Sequence, residues 1–372
     1  MAAAIGALAL SVALGGCGQQ QGQQAQQANA PAGAAAQELP PGQSSPPGGA
    51  ATAQDSAGSA DGAENGTGIG AGEGAGTGAG EKLKVYASFY PMYDFAARIG
   101  GNMADVSNMV PPGTEPHDWE PAAADMAGLE SADIFIYNGA GLEHWAGDIL
   151  GALQNESLIA VEASAGIALM EGHSDDEHGN ERVGEEDADG DVGGHGDDEG
   201  FDPHVWLSPK NAKVQLLNIK NAFVLADPGN ADLYEANYSA AAAEMDALDR
   251  EYAGAISALP DKDIIVSHQA FGYLCSEYGL NQVPIEGLSP DSEPDPARMA
   301  EIIEFANEHG VRVIFFEELV SPKVAETIAG AIGAQTDVLS PIEGLSDEEI
   351  AAGDDYFSVM RQNLKAIERA LS

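Results

Sequence analysis

From residue 83 onward the apolar positions come in short runs separated by longer amphipathic stretches. Leu83-Lys84-Val85-Tyr86-Ala87-Ser88-Phe89 predicts a strand over 83–89, and a helix follows over 90–99. Residues 106–110 predict a second strand. Asp133-Ile134-Phe135-Ile136-Tyr137 predicts a third, an unbroken apolar run of the kind a parallel strand carries when both faces are covered. Helices are expected near 122–129 and 143–153, so strands and helices alternate as in an α/β fold.

The pattern stops over 171–200, where Asp, Glu, Gly and His leave almost no apolar content. Two Ala-rich helices come next, 211–225 and 231–259. The second has no internal proline and only Gly254 as a glycine, which makes it a candidate rigid strut. The alternation then resumes. Asp263-Ile264-Ile265-Val266 predicts a strand, Asp295-Pro296 a capped helix start, 311–316 a strand, and Ser321-Pro322 a second helix start of the same kind. A short strand is expected at 336–339. Ser346-Asp347-Glu348-Glu349 caps a terminal helix with acids in its first turn. The expected architecture is α/β, two α/β lobes joined by a long rigid helix. An N-terminal lobe spans 83–208 with the acidic loop 171–200 inside it, a helical region spans 209–259, and a C-terminal lobe spans 260–372.

Composition narrows the function. The 372 residues include 60 Asp plus Glu against 15 Lys plus Arg, a formal charge of −45. Nucleic acid is excluded as a partner, because its phosphates need a basic surface. An acidic body instead favours cations nearby. The start of the chain changes the picture again. Residues 1–16 form an apolar run of signal-peptide length, too short to span a bilayer. The run ends in Leu14-Gly15-Gly16-Cys17, which resembles the bacterial lipobox, so residues 1–17 are expected to be a signal peptide and Cys17 to carry lipid at the mature N-terminus. Residues 18–80 are Gln, Ala, Gly, Pro and Ser without an aromatic and cannot bury enough apolar surface to offset the entropy of ordering. They are expected to be a disordered tether between an anchored cysteine and a soluble body.

Five of the eight histidines lie outside the acidic loop. His117 and His268 each follow a predicted strand, one in each lobe, and open α/β sheets bind ligands beyond the carboxyl ends of their strands. His204 precedes a helix. Proline before His117 and before His204 restricts the backbone that aims the ring. Neutral imidazole is the commonest protein ligand for zinc. His144 and His309 read as ordinary surface residues, and His309 also sits at a predicted helix C-terminus, where a cation is favourable. Cys275 reads as a small buried hydrophobe.

Three stretches carry a specific resemblance. Gly113-Thr114-Glu115-Pro116-His117, Asp202-Pro203-His204-Val205-Trp206-Leu207-Ser208-Pro209 and Val266-Ser267-His268-Gln269-Ala270-Phe271-Gly272-Tyr273 resemble the metal-histidine motifs of the cluster A-I metal-binding proteins. These are the substrate-binding subunits of zinc and manganese ABC importers, the ZnuA/AdcA-like and PsaA-like lipoproteins. Residues 285–294 and 315–323 resemble further stretches of the zinc branch. The resemblance covers residue 83 to the C-terminus and implies a metal site in the cleft between two lobes, with His117, His204 and His268 as ligands. Glu343 falls at the family's fourth position, with Glu317 or water as the alternative. Manganese members usually carry a carboxylate where this chain has His268. Three imidazoles and one oxygen suit zinc, whereas manganese prefers more oxygen.

The resemblance therefore implies an extracytoplasmic zinc-binding subunit of an ABC-type importer, lipid-anchored and monomeric, with a membrane permease as partner and Zn2+ as the carried ligand. Manganese remains the alternative metal. The rival functions are a zinc hydrolase and a metal-binding surface adhesin. No His-Glu-x-x-His occurs, so an enzyme is not expected. His173, His178 and His195 lie among acids in the loop 171–200, where Arg182 is the only basic residue. Each geometry there would have to be ordered at entropic cost, so these residues are expected to capture zinc weakly.

Overall fold

The structure is a computed structural model that describes residues 81–172, 200–290 and 294–372. The expectations for the leader with Cys17, for the tether, and for His173, His178 and His195 lie outside the described residues. The first half runs β1 (Leu83–Ala87), α1 (Tyr90–Gly100), β2 (Ala104–Asn108), α2 (Ala123–Leu129), β3 (Ile134–Tyr137), α3 (Ala146–Ala152) and β4 (Ile159–Glu162). Two helices follow, α4 (Pro209–Ala226) and α5 (Ala231–Ala258). The second half runs β5 (Asp263–Val266), α6 (Gly272–Tyr278), β6 (Asn281–Pro284), α7 (Pro296–His309), β7 (Val313–Phe316), α8 (Lys323–Ile332), β8 (Gln335–Val338), α9 (Asp347–Ala352) and α10 (Tyr356–Leu371).

The strands form two four-stranded sheets, ordered β2-β1-β3-β4 and β6-β5-β7-β8, with every pair parallel. Both sheets thus change direction beside their first strand. β1 has β2 on one side and β3 on the other, and β5 has β6 and β7. Such a switch leaves a crevice at the carboxyl ends of the two central strands, where the connecting loops part. The central strands are the apolar ones, with Ile134, Phe135, Ile136, Ile264, Ile265 and Val266 all buried.

The edge strands β4 and β6 escape the sequence pattern because each is four residues long and only partly buried. β6 ends in Pro284, as an edge strand tolerates. β2 starts at Ala104 rather than at 106, since its alternation is polar on the exposed side. Asp295 caps α7 as expected, accepting from Ala297 N at 2.7 Å and Arg298 N at 2.9 Å. Ser321 does not act the same way. α8 begins at Lys323, and Pro322, already near helical geometry, holds the cap position without a side-chain bond. The terminal helix is two helices. Ser346 and Glu349 form the expected capping box, but Gly353 at φ 86 ends α9, and Asp355 caps α10 afresh.

α5 is a 28-residue rod, about 42 Å long at 1.5 Å per residue. Its buried face, Tyr234, Ala241, Met245, Leu248, Tyr252 and Ile256, repeats at helical spacing. α10 returns across it. The Tyr252 hydroxyl donates to the Met360 carbonyl at 2.6 Å, Arg98 of α1 reaches Asp355 at 2.7 Å, and the Phe95 and Tyr356 rings meet edge-on at 4.9 Å. The last helix therefore packs with the first half of the chain as well as beside β8. Among the described residues, no helix is long and apolar enough to cross a membrane.

Candidate metal centre

Four chain segments deliver side chains to one point. His268 lies just past β5 and Glu317 just past β7, so they flank the switch of the second sheet. His117 comes from the long loop after β2. The amide of Gly113 in that loop donates to the Leu345 carbonyl at 3.2 Å, which joins it to the loop of Glu343. His204 precedes a single 3-10 turn, Val205–Leu207, which leads into α4. Asn138, at the end of β3, donates through Nδ2 to the Pro203 carbonyl at 2.9 Å and is itself held by Gln215 Nε2 at 2.8 Å. From the other side, the Tyr273 hydroxyl of α6 donates to the Asp202 carbonyl at 2.9 Å. The Asp202-Pro203-His204 segment is thus fixed by both halves of the molecule.

The convergence is tight. His204 Nε2 lies 3.2 Å from His117 Nε2 and 3.2 Å from His268 Nε2. Glu343 Oε1 lies 3.1 Å from the His204 nitrogen, 3.2 Å from that of His117 and 3.3 Å from that of His268. All four atoms fall within 4.8 Å of one another. Five of the six separations are thus 3.1–3.3 Å, and a regular tetrahedron with edges of that length has corners about 2.0 Å from its centre, the distance zinc keeps from imidazole nitrogen and carboxylate oxygen. The His204 and His268 side chains are wholly buried and that of Glu343 is 2% exposed, whereas the His117 side chain is 11% exposed.

The far sides of the rings explain why the near sides can bind a cation. His204 Nδ1 faces Asp202 Oδ1 at 2.8 Å, and His268 Nδ1 faces both Glu317 oxygens at 2.8 Å. A carboxylate accepts, so each Nδ1 carries a proton, and each Nε2, once it gives up its own proton to an incoming cation, presents a lone pair. Burial alone would push the His268 pKa down, but the charges of Glu317 and Glu343 outweigh it and hold the ring well above its ordinary value. His204 is raised in the same way, with burial opposed by its bonds to Asp202 and Glu343. Burial would push the Glu343 carboxyl up, yet the His268 charge and the three imidazoles hold it well below the usual range. Glu115 accepts from the His117 amide at 2.9 and 3.0 Å and so holds the turn that carries the ring. Burial pushes the Glu115 carboxyl up.

The structure brings together His117, His204, His268 and Glu343, and it places Glu317 behind His268 as that ring's partner. His144 is exposed, 3.8 Å from Glu120, and His309 pairs with Asp263 at 2.6 Å while stacking on Phe305. Cys275 is buried in α6, and burial pushes its thiol up, away from the reactive thiolate. Sequence reasoning missed Asp202 as a partner of His204. The Asp-Pro-His order was its only signal: the carboxylate lies two residues before the ring, and the proline between them fixes the turn. Gly272 also escaped notice. A Cβ there would meet Asp202 Oδ2 at 2.5 Å, so the glycine makes room for the carboxylate.

Two parallel-sheet lobes that close three imidazoles and a carboxylate over one point define a two-lobed binding protein for a single metal ion. The model of the family described as "Zinc-uptake complex component A periplasmic" matches residues 85–370. The chain belongs to that family. It is 42% identical over 292 residues to the high-affinity zinc uptake system protein ZnuA of Bacillus subtilis, covering 78% of this chain and 88% of that protein. It is 37% identical over 288 residues to the zinc-binding lipoprotein AdcA of Streptococcus pneumoniae, covering 77% of this chain but only 56% of AdcA. The chain therefore spans about half the length of that relative. The structure is similar to that of the Zn(II)-bound ZnuA-like domain of S. pneumoniae AdcA, with a TM-score of 0.65 and 35% identity over 78% of this chain and 99% of the domain.

Glu317→Gln tests the support behind His268. It removes the charge and turns an amide toward the ring and backbone N–H groups. Divalent-metal affinity, measured by competition with a chromophoric chelator, is expected to fall about 10- to 100-fold. Far-UV circular dichroism should not change.

Proposed function

We propose that this chain captures one Zn2+ ion outside the cytoplasm and delivers it to the permease of an ABC importer. The observation that carries the reading is the convergence of His117, His204, His268 and Glu343 within 4.8 Å of one another. Imidazole-rich, four-coordinate geometry suits zinc, whereas manganese favours octahedral oxygen. Membership of a zinc-uptake family supports the same metal and the same role in transport. The donor set also argues against catalysis. A catalytic zinc keeps a position open for water, and four protein ligands close the shell. His117 is the ligand nearest solvent, so the ion enters and leaves on its side. One chain supplies all four ligands, so a monomer is sufficient.

The anchor and the acidic loop belong to the same reading. Cys17 carries lipid and residues 18–80 tether the body above the membrane. The support is the Leu14-Gly15-Gly16-Cys17 sequence and a relative named as a lipoprotein. His173, His178 and His195 collect zinc weakly and pass it on. The two ends of their segment are joined where Gly172 N donates to the Gly200 carbonyl at 2.7 Å and Asp202 N to the Met170 carbonyl at 2.9 Å. Asp202 is the carboxylate behind His204, so the loop rejoins the fold two residues before the ion's own support.

Three outcomes are expected. His204→Ala should lower zinc affinity by more than the about 100-fold that loss of an outer partner can cost, with the fold retained by circular dichroism. Affinity within a few-fold of wild type would remove the assignment. Cys17→Ser should move the protein from the membrane fraction to the soluble one, and mass spectrometry should find a lipidated cysteine only in the wild type. Deleting residues 173–199 should abolish weak zinc binding in titration calorimetry while leaving the tight site. Equal stoichiometry before and after deletion would count against the capture role.

A further inference from the structure

The turn that carries Glu343 is strained, and one of the bonds that hold it comes from the segment carrying His204. Ile342 is fully buried and sits at φ 59, a left-handed conformation that a β-branched residue adopts only where its surroundings force it. Asn363 brackets the preceding Ser340, accepting from its amide at 2.9 Å and donating to its carbonyl at 2.7 Å. The Ile342 amide donates to Ser340 Oγ at 3.2 Å. Between these residues, the Pro341 carbonyl accepts from the indole Nε1 of Trp206 at 2.7 Å.

Trp206 is anchored for this task. It is fully buried, its ring lies edge-on to Phe89 at 4.8 Å, and its own carbonyl accepts from the Tyr356 hydroxyl at 2.5 Å. His204 is two residues before it, and Glu343 is two residues after Pro341. One hydrogen bond from an indole therefore ties the segment of a wholly buried imidazole to the backbone of the only anionic member of the cluster.

We propose that Trp206 is a positioning residue that latches Glu343 onto the ion, and that breaking its bond to Pro341 is the release step. The inference rests on the reading of His117, His204, His268 and Glu343 as the zinc shell. While the bond holds, the strained turn keeps the carboxylate in place. When the two halves part far enough to break it, Ile342 relaxes toward an ordinary conformation and Glu343 withdraws. The ion is then left with neutral imidazoles alone, without the negative charge that favours it.

Trp206→Phe keeps the ring and deletes the donor. Zinc release into a chromophoric chelator, followed by stopped flow, is expected to be several-fold to about tenfold faster. The deciding measurement is the same substitution in a Glu343→Ala background. If Trp206 acts through Glu343, it should add no further acceleration there, whereas a general packing role would speed release equally in both backgrounds and overturn the proposal. Unchanged release from Trp206→Phe alone, with Glu343→Ala weakened, overturns the latch but spares the zinc shell. Wild-type zinc binding by Glu343→Ala overturns both. Should Trp206→Phe fail to fold, Ile342→Gly and Ile342→Ala decide. Both remove the side chain, but only glycine accepts φ 59 without strain, so the Gly variant should hold zinc several-fold longer than the Ala variant. Equal or faster release from the Gly variant overturns the proposal.

Discussion

His204 Nε2 and His268 Nε2 stand 3.2 Å apart while each ring's opposite nitrogen faces a carboxylate. Two neutral imidazoles held this way would point lone pairs at each other in a dry interior, and the repulsion would not be screened. The arrangement is stable only with positive charge between the rings, either a proton or a metal ion. This requirement shapes what surrounds the rings. Asp202 and Glu317 supply compensating negative charge on the far sides, and Glu343 supplies it on the near side. The upward shifts of the two histidines and the downward shift of Glu343 express the same demand in protons, with burial opposing it in each case.

Meeting that demand is the work of the two sheets. Each changes direction beside its first strand and so opens a crevice at its carboxyl edge. In the second sheet the crevice holds His268 and Glu317 on adjacent strand ends, which is why ring and carboxylate meet. In the first sheet it holds Asn138, which touches no metal candidate but grips the Pro203 carbonyl and so sets His204. α10 completes the frame by returning over α5 to Phe95 and Arg98 while Asn363 holds the Glu343 turn.

Much of this could be read from the chain alone. Parallel sheets bury their central strands on both faces, so β3, β5 and β7 announce themselves as apolar runs. The histidines announce themselves because proline or a strand end stands beside each one. The half-exposed edge strands β4 and β6 lack that contrast, and the break between α9 and α10 hangs on one glycine conformation. The supporting contacts are harder still. Trp206 meets Pro341 across 135 residues, and Asn138 meets Pro203 across 65. Neither pairing leaves a local pattern, because both partners are ordinary in their own segments. Asp202 is the exception, since the rigid Asp-Pro-His order is local and could have been weighed as a ring support.

His117 and Glu343 are 226 residues apart in sequence. Contacts that far apart form only after most of the chain has been brought together, because the loops between them must first be closed. The four-residue cluster therefore exists only where both halves of the chain have been brought together. Such a site also reports on the completeness of the molecule that carries it. A ligand held only by the native state adds stability that grows with its free concentration relative to its dissociation constant, about 2.7 kcal/mol at a hundredfold excess over that constant. A chain in a zinc-poor setting would thus be at its most fragile, open to proteases through transient unfolding, and the arrival of a metal ion would lengthen its life as well as fill it.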